Sequence, residues 1–199
     1  SLMGEDAADQ VGFDELLREI DGTKDFSSIG ANVSTALSLA CAKAAASARG
    51  LPLYRYLGGI FVTGIPLPLG NVIGGGAHAP GATEIQEFLV VPTGASDASE
   101  AVFANAAVHR RVKENLKARG RHCGKGDEGA WAPEIDDRTA FEVVREAADA
   151  VSDELKISIN MGIDVAASQL WHDGRYRYRE TERDTAGQIA YMAELIDPY

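Results

Sequence analysis

The sequence has little cysteine and no long apolar run. Its 199 residues contain two cysteines, Cys41 and Cys123, which do not form a C-x-x-C pair. Two such thiols make neither a zinc site nor a disulfide framework, so we expect a reducing, cytoplasmic environment. No apolar stretch approaches the ~20 residues of a membrane-spanning helix, and we expect no membrane partner. Cys41 lies in an alanine-rich run and is expected in the core.

Basic residues are scarce as well. The chain has 19 lysines and arginines against 30 acidic residues, a net charge of −11. Its densest basic stretch, residues 110–121, has acidic neighbours and is typical of a solvated helix face rather than of a nucleic-acid-binding surface. Only 6 of the basic residues are lysine. Such a surface suits a salt-rich cytoplasm, so we hypothesise a halophilic source, which equal stability in low salt would contradict.

The remaining composition is ordinary for a globular protein, with 45% hydrophobic and 25% charged residues. The length favours one domain or two small ones. The first 60 residues carry helical patterns that end at glycine: one before Gly22, one over residues 29–49 and a short one after Pro52. The middle helix is expected to bury Val33, Leu37, Cys41, Ala44 and Ala48.

From residue 60 the pattern changes to strands and longer helices. In chain order we predict a strand within 60–73, a strand over 84–91, a helix from Asp97 to Gly120, a helix around Val144, a strand over 157–164 and a helix from Asp184. The two long helices are expected to bury Val102, Ala106, Val112 and Leu116, and Phe141, Val144, Ala148, Val151 and Leu155. This order of strands and helices places the chain in the α/β class.

Two polar segments adjoin the first predicted strands. Residues 74–78 read Gly-Gly-Gly-Ala-His, in which three glycines allow a close approach of the backbone to a ligand and His78 could contact an anion or move a proton. A plain hairpin turn with an exposed histidine is the alternative. Gln86 and Glu87 lie inside the second predicted strand. The charged side chain of Glu87 is expected to face a polar lumen or an ion; the alternative is an exposed edge strand with Glu87 in solvent.

Two further places could carry chemistry. The loop over residues 124–129 places Asp127 and Glu128 between glycines, which suits a general acid but equally a solvated loop. Asp164 ends the polar face of the third predicted strand, where a barrel would place a ligand for a hard cation such as Mg²⁺. One carboxylate does not complete a metal site. We interpret the other histidines as surface or packing residues: His109, His122 and His172.

Four segments, in order, resemble the enolase family. The helical end of the family's capping domain is similar to GANVSTALSLACAKAAA together with LPLYRYLGG. The first hairpin of its barrel is similar to PLPLGNVIGGGAHAPGATEIQEFLVVPTGA. GKGDEGAWAPEI resembles its acid loop, and GIDVAASQLW its first metal-ligand strand. The resemblance implies part of an enolase-type (β/α) barrel with a strand-strand-helix-helix start over residues 61–199, preceded over residues 1–60 by helices of the α+β capping domain.

The resemblance also implies site roles. Glu128 matches the acid that helps the 3-hydroxyl of 2-phosphoglycerate to leave, and Glu87 matches its partner carboxylate. The resemblance also implies that His78, Gln86 and Glu87 bind the substrate, that His78 is one of the catalytic residues, and that Asp164 is the first Mg²⁺ ligand. The family reaction yields phosphoenolpyruvate after a lysine removes the α-proton.

The chain resembles a truncated, archaeal-like form of the family. The base lysine and two of the three metal carboxylates would lie beyond Tyr199, so we expect the chain alone to be inactive. The resemblance suggests a homodimer or a higher homo-oligomer. Two alternatives stay open: another superfamily dehydratase that acts on a sugar acid, and a non-catalytic assembly module on the same scaffold.

Overall fold

A computed structural model describes residues 2–197. The chain forms two compact units, one ending at Gly64 and the other beginning at Ile65. No helix within residues 2–197 is both long and apolar enough to cross a bilayer.

The first unit is helical. It contains α1 (Gln10–Asp21), α2 (Ala31–Ala48) and α3 (Leu53–Gly58), followed by a 3-10 turn (Gly59–Phe61). α1 ends as predicted at Gly22, whose φ of 71° lies in the left-handed region that glycine adopts without strain.

The buried face of α2 differs from the predicted stripe. The helix buries Ser34, Cys41, Ala42, Ala45 and Ala46. Only Cys41 belongs to both sets; Val33 is 41% exposed, and the predicted positions 44 and 48 are also exposed. The reason is that a helix composed mainly of alanine offers almost no contrast in hydrophobicity around its axis, so small residues that allow close packing decide the face.

The second unit is built on a three-stranded antiparallel sheet. Its order is β1 (Gly70–Gly74), β2 (Glu87–Val91) and β3 (Asn160–Asp164). The register pairs Glu87 with Gly74 on one side and with Asp164 on the other. The ends of three distant segments therefore meet at the first residue of β2.

Two long helices cover one face of this sheet. They are α4 (Ala98–Ala118) and α5 (Asp137–Leu155), which begin at the capping carboxylates of Asp97 and Asp136. Phe88 is fully buried beneath them and meets Phe141 edge to face, with ring centroids 5.2 Å apart. The core of this unit therefore lies between the sheet and α4 and α5.

The structure corrects parts of the predicted burial. Val102 is 54% exposed and position 106 is exposed, because α4 turns Ala101, Ala104 and Val108 inward together with Val112 and Leu116, whose predicted burial is confirmed. Leu155 at the end of α5 is 45% exposed, whereas the other four predicted residues of that helix are buried.

The predicted strands are shorter in the structure. Gln86 precedes β2 rather than lying inside it, and β3 begins only at Asn160. Within the described residues β3 is an edge strand with no fully buried residue. A second small sheet was not predicted, since its strands β4 (Trp171–His172), β5 (Arg175–Arg177) and β6 (Glu182–Arg183) are too short for a period to be visible.

Two short helices complete the second unit. The α6 turn (Ala167–Leu170) follows β3, and α7 (Thr185–Ile196) begins at its capping residue Asp184 as predicted.

The packing of β2 yields a stability prediction. Phe88→Ala should lower the free energy of unfolding by about 3–5 kcal/mol, because it removes a buried ring and leaves a cavity. Urea unfolding measures the loss. Phe103→Ala is the matched control: this ring is 74% exposed, and its removal should change stability by no more than about 0.5 kcal/mol. Equal effects of the two substitutions would contradict this account of the core.

Candidate active site

The candidate site lies where β1 and β2 meet the loops after β1 and after α4. Glu87 begins β2, His78 lies in the loop after β1, and Asp127 and Glu128 lie in the loop between α4 and α5. The structure brings these side chains together. His78 Nε2 is 3.6 Å from Glu87 Oε1 and 3.7 Å from Glu128 Oε1.

The loop after β1 is held by its own backbone. Gly75 N donates to the Gln86 carbonyl, and Gly76 N donates to the Thr83 carbonyl. A Cβ at Gly75 would lie 2.2 Å from the Thr83 carbonyl oxygen, so the glycine permits this close approach. The loop therefore has a folded form that fixes His78, rather than being a plain hairpin turn.

His78 is surrounded by carboxylates. Its Nδ1 lies 3.1 Å from Asp127 Oδ1, which leaves Nε2 facing Glu87 and Glu128. The hydrogen bond to Asp127 is the main reason that the pKa of His78 is raised above its usual 6.5, and the charges of the three carboxylates add to it. The site thus favours the imidazolium form.

Glu87 is the most enclosed carboxylate of the site, with 18% of its side chain exposed. Burial raises the pKa of Glu87, and its hydrogen bond with Glu128 and the charges of Glu128 and Asp164 raise it further. The positive charge of His78 opposes these effects. A carboxyl group with a raised pKa can retain a proton and donate it, which is what general acid catalysis requires.

The loop that carries Asp127 and Glu128 interlocks with the His78 loop. Asp127 N donates to the His78 carbonyl, and a Cβ at Gly126 would lie 2.9 Å from that same oxygen. Within the loop, Gly129 N donates to the Gly126 carbonyl. The paired acids are therefore fixed by tertiary contacts, although their side chains are partly exposed.

Asn71 is a site residue that the sequence reasoning missed. Its Nδ2 donates to Glu128 Oε2 across 3.3 Å, while its Oδ1 is buried without a hydrogen-bond partner. Asn71 lies in β1, one position after the start of the strand. An asparagine inside a strand pattern was the one available signal, because strands disfavour this residue.

The other two predicted residues lie beside the cluster. Asp164 faces Glu87 in the register, and its Oδ1 accepts a hydrogen bond from Ala166 N. Gln86 lines a neighbouring cavity of about 240 Å³ together with Gly76 and Gln169. Neither Gln86 nor Asp164 joins the group formed by His78, Glu87 and Glu128.

Among residues 2–197 one cluster could hold a metal, and Asp164 could contribute one further ligand. One ligand atom from each of His78, Glu87 and Glu128 lies within 4.8 Å of the others. A histidine with two carboxylates suits a transition metal better than Mg²⁺, which prefers oxygen ligands alone. Asp164 suits Mg²⁺, since one of its two oxygens is not used by the hydrogen bond to Ala166.

His109, which we had assigned to the surface or to packing, supports the acid loop. It is partly buried, and its Nε2 lies 3.1 Å from the Gly129 carbonyl. Burial lowers the pKa of His109, the nearby charges of Lys125 and Lys113 lower it further, and the bond to Gly129 opposes them. No feature of the sequence indicated this contact.

The opposite shifts of the two histidines can be measured. In an NMR titration His78 should titrate above pH 6.5 and His109 below it. Asp127→Asn should lower the pKa of His78, because it removes the carboxylate on Nδ1, and leave that of His109 unchanged.

Because the folded-state pKa of His78 is raised, its contribution to stability should be present below about pH 6.5 and lost as the pH rises through the folded value.

Asp153→Asn is the matched control for this titration. Asp153 is exposed on α5, so its substitution removes the same charge away from the site. A His78 that titrates below pH 6.5, or that responds equally to both substitutions, would contradict the assigned geometry.

Comparisons with known proteins agree with the resemblance. Residues 62–199 match the family model of the enolase C-terminal TIM barrel domain, and residues 1–57 match that of the enolase N-terminal domain. The predicted family and the predicted part of an α/β barrel are thereby confirmed. The domain boundary at residue 60 stays a prediction.

Curated relatives named enolase match nearly the whole chain. Identity is 62% with the protein of Methanocorpusculum labreanum over 98% of the chain, and 55% with that of Archaeoglobus fulgidus over all of it. It is 54% with the protein of Natronomonas pharaonis over 97% of the chain. The chain spans about half the length of these relatives, 49–50% in each case.

The family models match residues 1–57 and 62–199, and the relative from Archaeoglobus fulgidus matches the whole chain. The chain therefore belongs to the enolase family.

Proposed function

We propose that this chain contributes to the Mg²⁺-dependent dehydration of 2-phosphoglycerate to phosphoenolpyruvate. The observation that supports it best is the pair of carboxylates, Glu87 and Glu128, that face the same nitrogen of His78 at 3.6 and 3.7 Å. A dehydratase must supply a proton to a departing hydroxyl, and a hydrogen-bonded carboxyl pair of this kind is suited to hold one.

The elimination can be written with its protons balanced. A base removes the proton on carbon 2, the electron pair of that bond forms the new double bond, and the bond from carbon 3 to its hydroxyl breaks. Glu128 donates a proton to the departing hydroxyl, which leaves as water. Glu87, which is hydrogen-bonded to Glu128, then passes its own proton to Glu128. The raised pKa of Glu87 supports this role, because the carboxyl group retains a proton to a higher pH than an ordinary glutamate does.

His78 and Gln86 are proposed to bind the substrate. With Asp127 on Nδ1, His78 favours the charged form and can attract an anionic substrate. Gln86 lines the adjoining cavity of about 240 Å³, where its amide group can donate to or accept from substrate oxygens. Anion recognition by His78 would also lessen the repulsion that the surrounding carboxylates exert on a phosphate ester.

Asp164 is proposed as one Mg²⁺ ligand. When bound, the metal would neutralise negative charge that develops on the substrate carboxylate, as in the arrangement known for the enolase superfamily. Within the site, Asp164 contributes a carboxylate charge opposite Glu87, which raises the pKa of Glu87.

The remaining parts of the proposed site come from the rest of an enolase-length protein. The resemblance assigns the base to a lysine outside the half that this chain spans. Lys125 does not take its place, because its ammonium lies 4.9 Å from the centroid of the Trp131 ring. We therefore propose that the chain alone is inactive, and that the complete protein acts in the cytoplasm as a homodimer or a larger homo-oligomer.

Phosphoenolpyruvate formation tests this proposal. We expect activity from the chain completed to enolase length with the remaining sequence of a relative, in the presence of Mg²⁺ and high potassium chloride. Glu128→Gln should lower kcat by at least about 100-fold, because it removes the proposed proton donor. Glu134→Gln, an exposed acid in the same loop, is the matched control and should retain activity. Chelation of Mg²⁺ should abolish turnover.

Three outcomes would overturn parts of the proposal. Turnover by the unextended chain that depends on Glu128 would show that the missing groups are not required. A completed protein that dehydrates a sugar acid but not 2-phosphoglycerate would support a different substrate class. A folded, completed protein with no dehydratase activity would favour the assembly module.

A further inference from the structure

His109 connects helix α4 to the loop that carries Glu128. Its Nε2 lies 3.1 Å from the carbonyl oxygen of Gly129, the residue directly after Glu128. A carbonyl oxygen can only accept a hydrogen bond, so Nε2 must carry the proton. The side chain is partly buried, and the contact spans 20 residues of sequence. It is therefore a tertiary bond to the acid loop rather than a local turn.

Trp131 joins the same histidine to the sheet. The two rings are stacked with centroids 5.0 Å apart and an interplanar angle of 27°, and the indole Nε1 donates to the His109 carbonyl at 2.8 Å. The backbone of Trp131 donates to the Val72 carbonyl and accepts from Gly74 N. Trp131 is thus bonded both to α4 and to β1, the strand that carries Asn71 and leads into the His78 loop.

The surroundings of this pair favour a neutral histidine. The ammonium groups of Lys113 and Lys125 lie 5.0 and 4.9 Å from the centroid of the Trp131 ring. Their charges, together with burial, oppose protonation of the imidazole. A neutral ring with a single proton on Nε2 is the form that donates to Gly129 and stacks on the indole without placing a third positive charge there.

The acid loop depends on such support. Glycines stand at both ends of the Asp127–Glu128 pair, and Gly129 has a φ of 88°, which L side chains rarely adopt. The Glu128 side chain is 47% exposed, so burial alone does not fix it. A displacement of about 1 Å of a reacting group can cost as much as a hundredfold in rate.

We propose that His109 is a positioning residue for Glu128. With Trp131 it forms a latch that holds the Gly129 carbonyl and thereby the carboxylate that precedes it. The contacts that form the latch do not depend on which reaction the protein catalyses, whereas the effect of the latch on turnover rests on the proposed function. Nothing in the roles proposed above requires His109 to touch the substrate.

Two substitutions separate the hydrogen bond from the stacked ring. His109→Phe keeps an aromatic ring against Trp131 but removes the donor, whereas His109→Gln keeps an N–H at a similar reach but removes the ring. We expect amide hydrogen exchange at Gly126, Gly129 and Trp131 to quicken about fivefold in His109→Phe and to stay near the parent rate in His109→Gln. Exchange at Phe88 should not change, which separates a local effect from global unfolding.

His172→Phe is the matched control. The Nε2 of His172 also lies 3.1 Å from a carbonyl, that of Gln169, but this contact is in a short segment after β3. Its substitution should leave exchange in the acid loop unchanged. The tautomer of His109 is measured in the parent protein by nitrogen NMR, so the proposal is tested even if His109→Phe does not fold. A proton on Nδ1 instead of Nε2 would overturn it.

Turnover adds a second readout. In the protein completed to enolase length, His109→Phe should lower kcat about tenfold with KM little changed. His109→Gln should retain most of the parent kcat. Faster loop exchange without a change in kcat would overturn the positioning role but leave the latch. Absence of turnover in the parent and in every variant would count against the proposed function alone, because the exchange and tautomer measurements decide the latch separately.

Discussion

The register of β2 against its two neighbours is the constraint on which the candidate site depends. Glu87 stands at the start of this strand and pairs with Gly74 and Asp164, which brings the His78 loop and the end of β3 to one place. Because side chains alternate along a strand, a slip of one residue would turn Glu87 toward the covering helices and Phe88 away from them. The burial of Phe88 beneath α4 and α5 therefore also holds the position of Glu87.

The electrostatics of the site follow from that convergence. Four carboxylates approach one histidine or one another in a chain whose net charge is already −11. Burial raises the pKa of Glu87, and the hydrogen bond to Asp127 raises that of His78; the charges of the neighbouring carboxylates raise both values further. Groups with raised pKa values retain protons to a higher pH than usual, which suits protonation of a leaving group. The same repulsion that costs stability thus supports the proposed chemistry.

Local signals made much of the fold predictable from the sequence. Gly22, Asp97 and Asp184 marked helix ends through capping chemistry that needs only a few neighbouring residues. The strong period of α5 located its buried face apart from Leu155, whereas the uniform composition of α2 did not. His78, Glu87 and Glu128 were predicted as separate places, and the family resemblance grouped them. His109 and Asn71 were missed because their roles depend on contacts between segments distant in the chain.

Asp137 illustrates the same limit and extends the logic of support to the other side of the site. It is 4% exposed, and its Oδ1 accepts hydrogen bonds from Glu84 N and Ile85 N, while its Oδ2 accepts one from the Tyr191 hydroxyl. Burial raises the pKa of Asp137, and the two backbone bonds oppose that rise. These bonds fix the backbone just before β2 from the start of α5, much as His109 reaches the acid loop from α4. Since both covering helices hold site loops through single polar side chains, the layer that stabilises the core also determines the geometry of the carboxylates.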